Sequence, residues 1–235
     1  MEELIKKAQE YSKDSLCIGD LSKVNEMTYF DHPYCSNSTL TALGQELGLL
    51  PEFGGDKENA YRMGSLFDAV VTEAHKIDLI QNKIIDSDYF FSQAEYDQCK
   101  KMKSNLELNP IYKTFLLQNP DFQKEVYVEH FEFEGFVLSM RAKLDYFIYG
   151  LVADLKSTAC TSQKSFENAC IQFGYYRQMW LYCKLTGAKR AIIFGVSKSK
   201  PHNVFVVRIS ENDENWKLGE REITKLAYKY YMLKN

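Results

Sequence analysis

The chain has 235 residues, 45% hydrophobic and 26% charged, with a net charge of −3, a globular composition that excludes disorder throughout. The acidic balance excludes a polybasic nucleic-acid coat of the histone kind but leaves room for a local basic rim beside an acidic metal site. No run reaches the roughly 18 apolar residues of a membrane span, the opening MEELIKKAQEYSK lacks the apolar core of a signal peptide, and six cysteines without a CxxC pair exclude a zinc ribbon.

Residues 2–13 read as an amphipathic helix. YCSNSTLTALGQELGLL follows, with Ser36 or Ser38 as cap and a helix from about Thr39. PEFGGDKEN is a turn-rich loop. A helix opens near Gly64, where Leu66, Phe67, Val70, Val71 and Ala74 share one apolar stripe. Asp68 and His75 lie off that stripe on a similar bearing. A Lys-rich helix is expected over 92–117. After NPDF the period changes to two, and EVYVEHFEFEGFVLSMRAKLDYFIYGLVADLKST reads as three strands turning at Glu134-Gly135 and at Tyr149-Gly150. In the second strand Leu138, Met140, Ala142 and Leu144 face one way, and Ser139, Arg141, Lys143 and Asp145 the other. In the third, Asp154 and Lys156 are two apart and share a face. A helix over 165–186 ends at Gly187. The strands RAIIFGVS and NVFVVRIS follow, joined by the basic loop KSKPH, and a Tyr- and Lys-rich helix closes the chain. The order implies one α/β domain over 1–235, with a helical part over 1–120 and the catalytic strands and helices over 121–235.

Chemistry concentrates in KLDYFIYGLVADLKST. If the second and third strands pair in register, Asp145 and Asp154 point at one place. Two convergent carboxylates suit a hard cation such as Mg²⁺, with Mn²⁺ as a substitute, and the Leu155 carbonyl offers a further oxygen. Such an ion activates a phosphodiester and a water. Lys156 beside it would orient the attacking water, help deprotonate it, or stabilise the developing charge. The bland alternative is an exposed Asp-x-Lys salt pair, which is worth little.

These residues, with FENACIQFGYYRQMWLY after them and YCSNSTLTAL and RMGSLFDAVVTEA before, resemble the PD-(D/E)XK nucleases of the RecB-like type, and especially the RecE-like phage recombination exonucleases. The likeness runs from about residue 35 to 196. It implies a restriction-endonuclease-like core, a central mixed sheet flanked by helices. It also implies Asp145 and Asp154 as metal ligands, Lys156 as the catalytic lysine, and Tyr175, Gln178 and Tyr182 as a helix motif beside the centre. Where many relatives carry a histidine ligand this chain has Asp68, a natural Mg²⁺ donor; His75 is the poorer match. Glu125 is favoured over Glu129 as an added acid from the first strand. The spacing of Cys160, Cys170 and Cys183 does not match the four-cysteine iron–sulfur site of some relatives, so no iron–sulfur cluster is expected. Candidate DNA contacts are Ser36, Ser38, Tyr175, Arg177, Gln178, Lys198 and Lys200, with the serines also serving as plain caps.

The missing signal peptide and membrane-length apolar run imply a cytoplasmic protein with free thiols and no membrane partner, and the resemblance implies a Mg²⁺-dependent DNA exonuclease that processes ends for phage or prophage recombination alongside a single-strand annealing protein. An endonuclease of restriction or repair type and a catalytically silent DNA-binding module stand as alternatives. A homo-oligomer is open.

Overall fold

The computed structural model describes residues 28–234 apart from residues 53, 55 and 86. The helix expected over 2–13 lies outside the described residues. In chain order come α1 (Asn37–Glu46), α2 (Lys57–Thr72), a ribbon of β1 (Ile77–Asp78) and β2 (Lys83–Ile84), α3 (Gln93–Leu108) and α4 (Pro110–Leu116). Then follow β3 (Asp121–Phe133), β4 (Phe136–Ile148), β5 (Leu151–Thr158), α5 (Gln163–Gln172), α6 (Tyr175–Thr186), β6 (Arg190–Ser197), β7 (Val204–Ser210) and α7 (Glu214–Lys234). Among the described residues no helix is long and apolar enough to cross a membrane.

Helix starts follow the capping residues. Ser36 accepts from the Thr39 N–H in a reciprocal capping box at α1, Asp56 caps α2, and Ser92 caps α3 with Glu95. Three helix expectations are corrected. Helix α2 begins at Lys57, inside the stretch read as loop, and stops at Thr72, so His75 lies exposed in a 3₁₀ turn (Ala74–Lys76). The helix expected over 92–117 is two: Asn109 precedes Pro110, adopts an extended conformation, and caps α4 by accepting from the Ile111 and Tyr112 N–H groups. The helix expected over 165–186 is also two, broken at Gly174, whose φ is +67. A Cβ there would meet the Arg177 guanidinium at 2.5 Å.

The sheet order is β3-β4-β5-β6-β7. Only β5 and β6 run parallel, joined by the crossover through α5 and α6. Helices α1, α5, α6 and α7 cover one face, over Leu138, Met140, Leu144, Val152 and Ile193. Helices α2, α3 and α4 cover the other, over Tyr146, Ala153, Leu155, Phe194 and Val196. The mixed sheet between two helical layers is the expected fold class.

Two irregularities shape the centre of this sheet. First, residues two apart on a strand normally share a face, yet Leu144 joins the α1/α6/α7 core and Tyr146 the α2/α3/α4 core. The switch coincides with Gln123 on β3, which has φ +50 and drops out of the ladder between the pairs Phe122–Tyr146 and Lys124–Leu144. Asp145 falls at the switch. Second, β4 pairs with β5 only through Tyr146–Ala153, Phe147–Val152 and Ile148–Leu151, whereas β5 pairs with β6 along its whole length. Beyond Tyr146 the two strands part. The edge that β4 leaves open is taken up by Cys35, which donates to the Ser139 carbonyl and accepts from the Arg141 N–H, and beside it Tyr29 lies over the Arg141 guanidinium.

Candidate active site

Asp145 stands where the ladder ends. Its Oδ2 accepts the Leu155 N–H at 2.7 Å, so a carboxylate replaces the strand partner that Leu155 lacks. The N–H and C=O of one strand residue point to the same edge, which turns the Leu155 carbonyl into the same gap.

From β5, Asp154 and Lys156 project together toward α6. Asp154 is 1% exposed. Its Oδ1 accepts from Gln178 Nε2 at 2.9 Å, and the same amide reaches the Tyr182 hydroxyl at 2.9 Å. Gln178 and Tyr182, one helical turn apart, thus act as a single bracket on the aspartate. Asp154 Oδ2 lies 2.6 Å from Lys156 Nζ and, among the described residues, has no directed hydrogen bond although buried. Lys156 lies over the Tyr175 ring, 4.8 Å from its centroid.

Asp68 approaches from α2. Gln123 Nε2 lies 3.2 and 3.1 Å from its two oxygens, and the Thr72 hydroxyl donates to it at 3.1 Å. Glu73, just past the end of α2, is a further acid near this group and one that sequence reasoning missed. It bonds Lys76 at 2.7 Å and stands 4.0 Å from Lys143 on β4.

The carboxylates feel one another. Burial raises the Asp145 pKa well above the carboxylate range, and Asp154 and Asp68 raise it further. Burial also raises Asp154, against the opposing pull of Lys156. Asp68 is pushed up to about 6, first by burial, with the Thr72 hydrogen bond opposing and with Glu73 and Asp154 adding to the rise. Burial works against the Lys156 ammonium, but Asp154 beside it, helped by Tyr175 and Asp145, holds its pKa above the usual lysine value. Lys156 is therefore a fixed cation at neutral pH.

Among the described residues no three His, Cys, Asp or Glu side chains stand close enough to form a ready ion cage. Their chemistry nevertheless fits a hard divalent cation. Asp68, Asp145, Asp154 and the Leu155 carbonyl are all oxygen donors, and the buried Asp154 Oδ2 is held by the Lys156 ammonium alone among the described residues.

The remaining expectations divide. Glu125 is exposed, opposite Lys143 on the neighbouring strand, and accepts from the Tyr127 hydroxyl at 2.7 Å. Glu129 is exposed in the irregular stretch before Phe131. The position opposite Asp145 belongs to Gln123 instead. Arg177 as a DNA contact is corrected: it is 2% exposed and reaches Asn37, Thr41 and Glu222, tying α6 to α1 and α7. Ser36 is buried as the α1 cap, with Ser38 exposed 3.3 Å from it. Lys198 is partly buried and Lys200 exposed, on a loop whose Lys198 carbonyl accepts from Gln98.

No curated protein matches the chain. Among solved structures, a candidate exonuclease from Eubacterium rectale superposes with a TM-score of 0.58 at 16% identity, over 83% of this chain and 74% of its own. A phage-related exonuclease from Haemophilus somnus gives a TM-score of 0.35 at 18% identity, over 70% of this chain and 80% of its own. An alkaline exonuclease from Laribacter hongkongensis gives 0.29 at 15% identity, over 56% and 70%. At such identities the first likeness establishes shared fold, and the latter two carry no argument. A family model described as a PDDEXK-like domain of unknown function (DUF3799) matches residues 29–235. That match takes in the parted strands, the three aspartates, Lys156 and the Gln178–Tyr182 bracket, and the chain belongs to the PDDEXK-like domain family.

Proposed function

We propose that the protein is a divalent-metal-dependent deoxyribonuclease, acting as an exonuclease on DNA ends. The observation that carries this reading is the meeting of Asp145 with Asp154 and Lys156 where β4 and β5 part. A solvated Asp-x-Lys pair would not bury its aspartate to 1% or fix it with an amide bracket. The family and the exonuclease description of the Eubacterium rectale protein support the same assignment.

Asp145, Asp154, Asp68 and the Leu155 carbonyl would hold Mg²⁺, or Mn²⁺ in its place. The ion supplies Lewis-acid activation of the phosphodiester and of the attacking water. Lys156, held protonated by Asp154 and Asp145, stabilises charge developing on the phosphoryl oxygens and positions the water, rather than taking its proton. Gln178 and Tyr182 keep the Asp154 carboxylate aimed into the gap. Tyr175, beneath Lys156, fixes the height of the ammonium. Processing of ends for recombination, with a single-strand annealing protein as partner, is the role that fits such an activity.

The test uses linear duplex DNA labelled at one end, with closed circular DNA as control, with and without Mg²⁺. Progressive loss of label from the linear substrate, absent without the ion and abolished by Asp154→Ala, is expected. No degradation by the wild type, or undiminished degradation by Asp154→Ala, removes the enzyme reading. Cutting of the circle makes it an endonuclease.

A further inference from the structure

Among the described residues two arginines are buried, Arg177 and Arg141, and they are held differently. Arg177 reaches an amide oxygen, a hydroxyl and a carboxylate. Arg141, on β4, is 3% exposed, and its Nε and Nη1 are buried without any hydrogen-bond partner among the described residues. A guanidinium cannot shed its proton, and a buried charge without a counter-charge is strongly unfavourable. Among the described residues no carboxylate stands within ion-pair distance of it; Glu125, two residues along β3 from Tyr127, is bonded to the Tyr127 hydroxyl instead. The Tyr29 ring lies 4.7 Å from the guanidinium carbon. Tyr127 stands opposite Arg141 on β3 and contacts both Tyr29 and His32.

The position of this group matters as much as its lack of partners. Arg141 shares a strand face with Lys143 and lies four residues from Asp145, about 13 Å at the usual rise of a strand. Successive phosphates advance about 3.4 Å along a duplex, so a DNA strand that reacts at Asp145 and runs along β4 would pass Arg141 a few nucleotides away.

We propose that Arg141, roofed by Tyr29, is a seat for one backbone phosphate of the bound DNA strand. This inference rests on the nuclease reading. Each fork of the planar guanidinium, Nε with Nη2 or Nη1 with Nη2, matches two oxygens of one phosphate, so a single phosphate would engage one of the two unpartnered nitrogens together with Nη2. Since both nitrogens are buried, the Tyr29 ring must lift for a phosphate to enter.

The test compares wild type with Arg141→Met, which keeps the length of the stem. DNA binding is measured in EDTA across salt concentrations, and with oligonucleotides carrying one neutral methylphosphonate at each position in turn. Wild type should lose about tenfold in affinity at one position where Arg141→Met loses nothing, and the slope of log affinity against log salt should shrink by about 0.9. In parallel, inorganic phosphate should raise the melting temperature of wild type but not of Arg141→Met, whose own melting temperature without phosphate is unchanged or higher. Arg141→Lys, which keeps the charge and loses the fork, should retain part of each effect and serves if the methionine variant fails to fold. Identical methylphosphonate profiles and identical phosphate responses in wild type and variant overturn the proposal. So does a large fall in melting temperature with an unchanged phosphate response, the signature of a structural tie like Arg177. If wild type binds no DNA but the phosphate responses differ, the nuclease reading fails and the anion seat stands.

Discussion

Gly174→Ala should unfasten the N-terminal end of α6, the end that carries Tyr175 and Gln178. Two costs can be read separately. An L-residue at φ +67 pays about 1–2 kcal/mol for the left-handed conformation. The added methyl also meets three guanidinium atoms of Arg177 at 2.5–2.7 Å. To relieve that contact the guanidinium must leave Asn37, Thr41 and Glu222, and disrupting a buried, partnered charge costs about 3–5 kcal/mol when complete. Partial relaxation of the helix start lowers this, so a total loss of about 3–5 kcal/mol is expected by urea denaturation in EDTA. In an Arg177→Met background the second cost is absent and the same substitution should cost only about 1–2 kcal/mol. The double-mutant cycle therefore predicts a coupling of about 2–3 kcal/mol. A coupling below about 0.5 kcal/mol would refute the argument, because the glycine would then be required for its backbone conformation alone.

Lys156→Met should lower the single-turnover rate on end-labelled duplex about 10²–10³-fold with DNA affinity little changed; a rate within threefold of wild type would remove its electrostatic role. Asp68 is more basic folded than unfolded, about 6 against an ordinary 3.8. Over that window the native state binds the extra proton, so the metal-free protein loses stability as pH rises from about 4 to 6. Asp68→Asn should remove about 1–2 kcal/mol of that decline, a figure discounted for partial exposure, and a pH profile parallel to wild type in EDTA denaturation would contradict it. Glu95 moves the other way, held at about 2 chiefly by its hydrogen bond with Arg62. Its contribution is present above about 4.5 and lost as pH falls toward 2, so Glu95→Gln should cost no more than about 1 kcal/mol at pH 7 and nothing near pH 2. Gln178→Leu should reduce turnover through misplacement of Asp154 and should leave the far-ultraviolet circular dichroism spectrum unchanged; equal turnover would show that the bracket is not needed.

Much of the centre is legible in sequence because it depends on regular periods. Asp154 and Lys156 share a face through the two-residue repeat of a strand, and Gln178 and Tyr182 through the four-residue spacing of a helix. The hairpin turns at Gly135 and Gly150 follow from residues free to take positive φ. What escaped depends on departures from regularity. Gln123 faces Asp68 because one residue in a strand turns to φ +50. Glu73 enters through a helix ending, and Tyr29 lies beside an edge that exists only because two strands separate far away in sequence. Asn109-Pro110 was a readable signal for a helix break, as was Asp56, three residues before the N–H it caps. Arg177 was misread because a basic side chain on a helix usually faces water, and only the tertiary arrangement supplies its three partners.

The short ladder between β4 and β5 makes the sheet two leaves on a narrow spine. One leaf is the long hairpin of β3 and β4; the other is the slab of β5, β6 and β7. They are stitched by three residue pairs next to the Tyr149-Gly150 turn, while the slab is zipped over eight pairs between β5 and β6 alone. Arg141 lies five residues out from the last stitch at Tyr146, roughly 17 Å along the strand, so a pivot of about 10° at the spine would swing it by about 3 Å relative to the slab. Against such a pivot stand the helical layer packed on both leaves and the Asp145 carboxylate on the Leu155 N–H across the gap, so the opening is held as a slot of fixed width with the acids at its closed end.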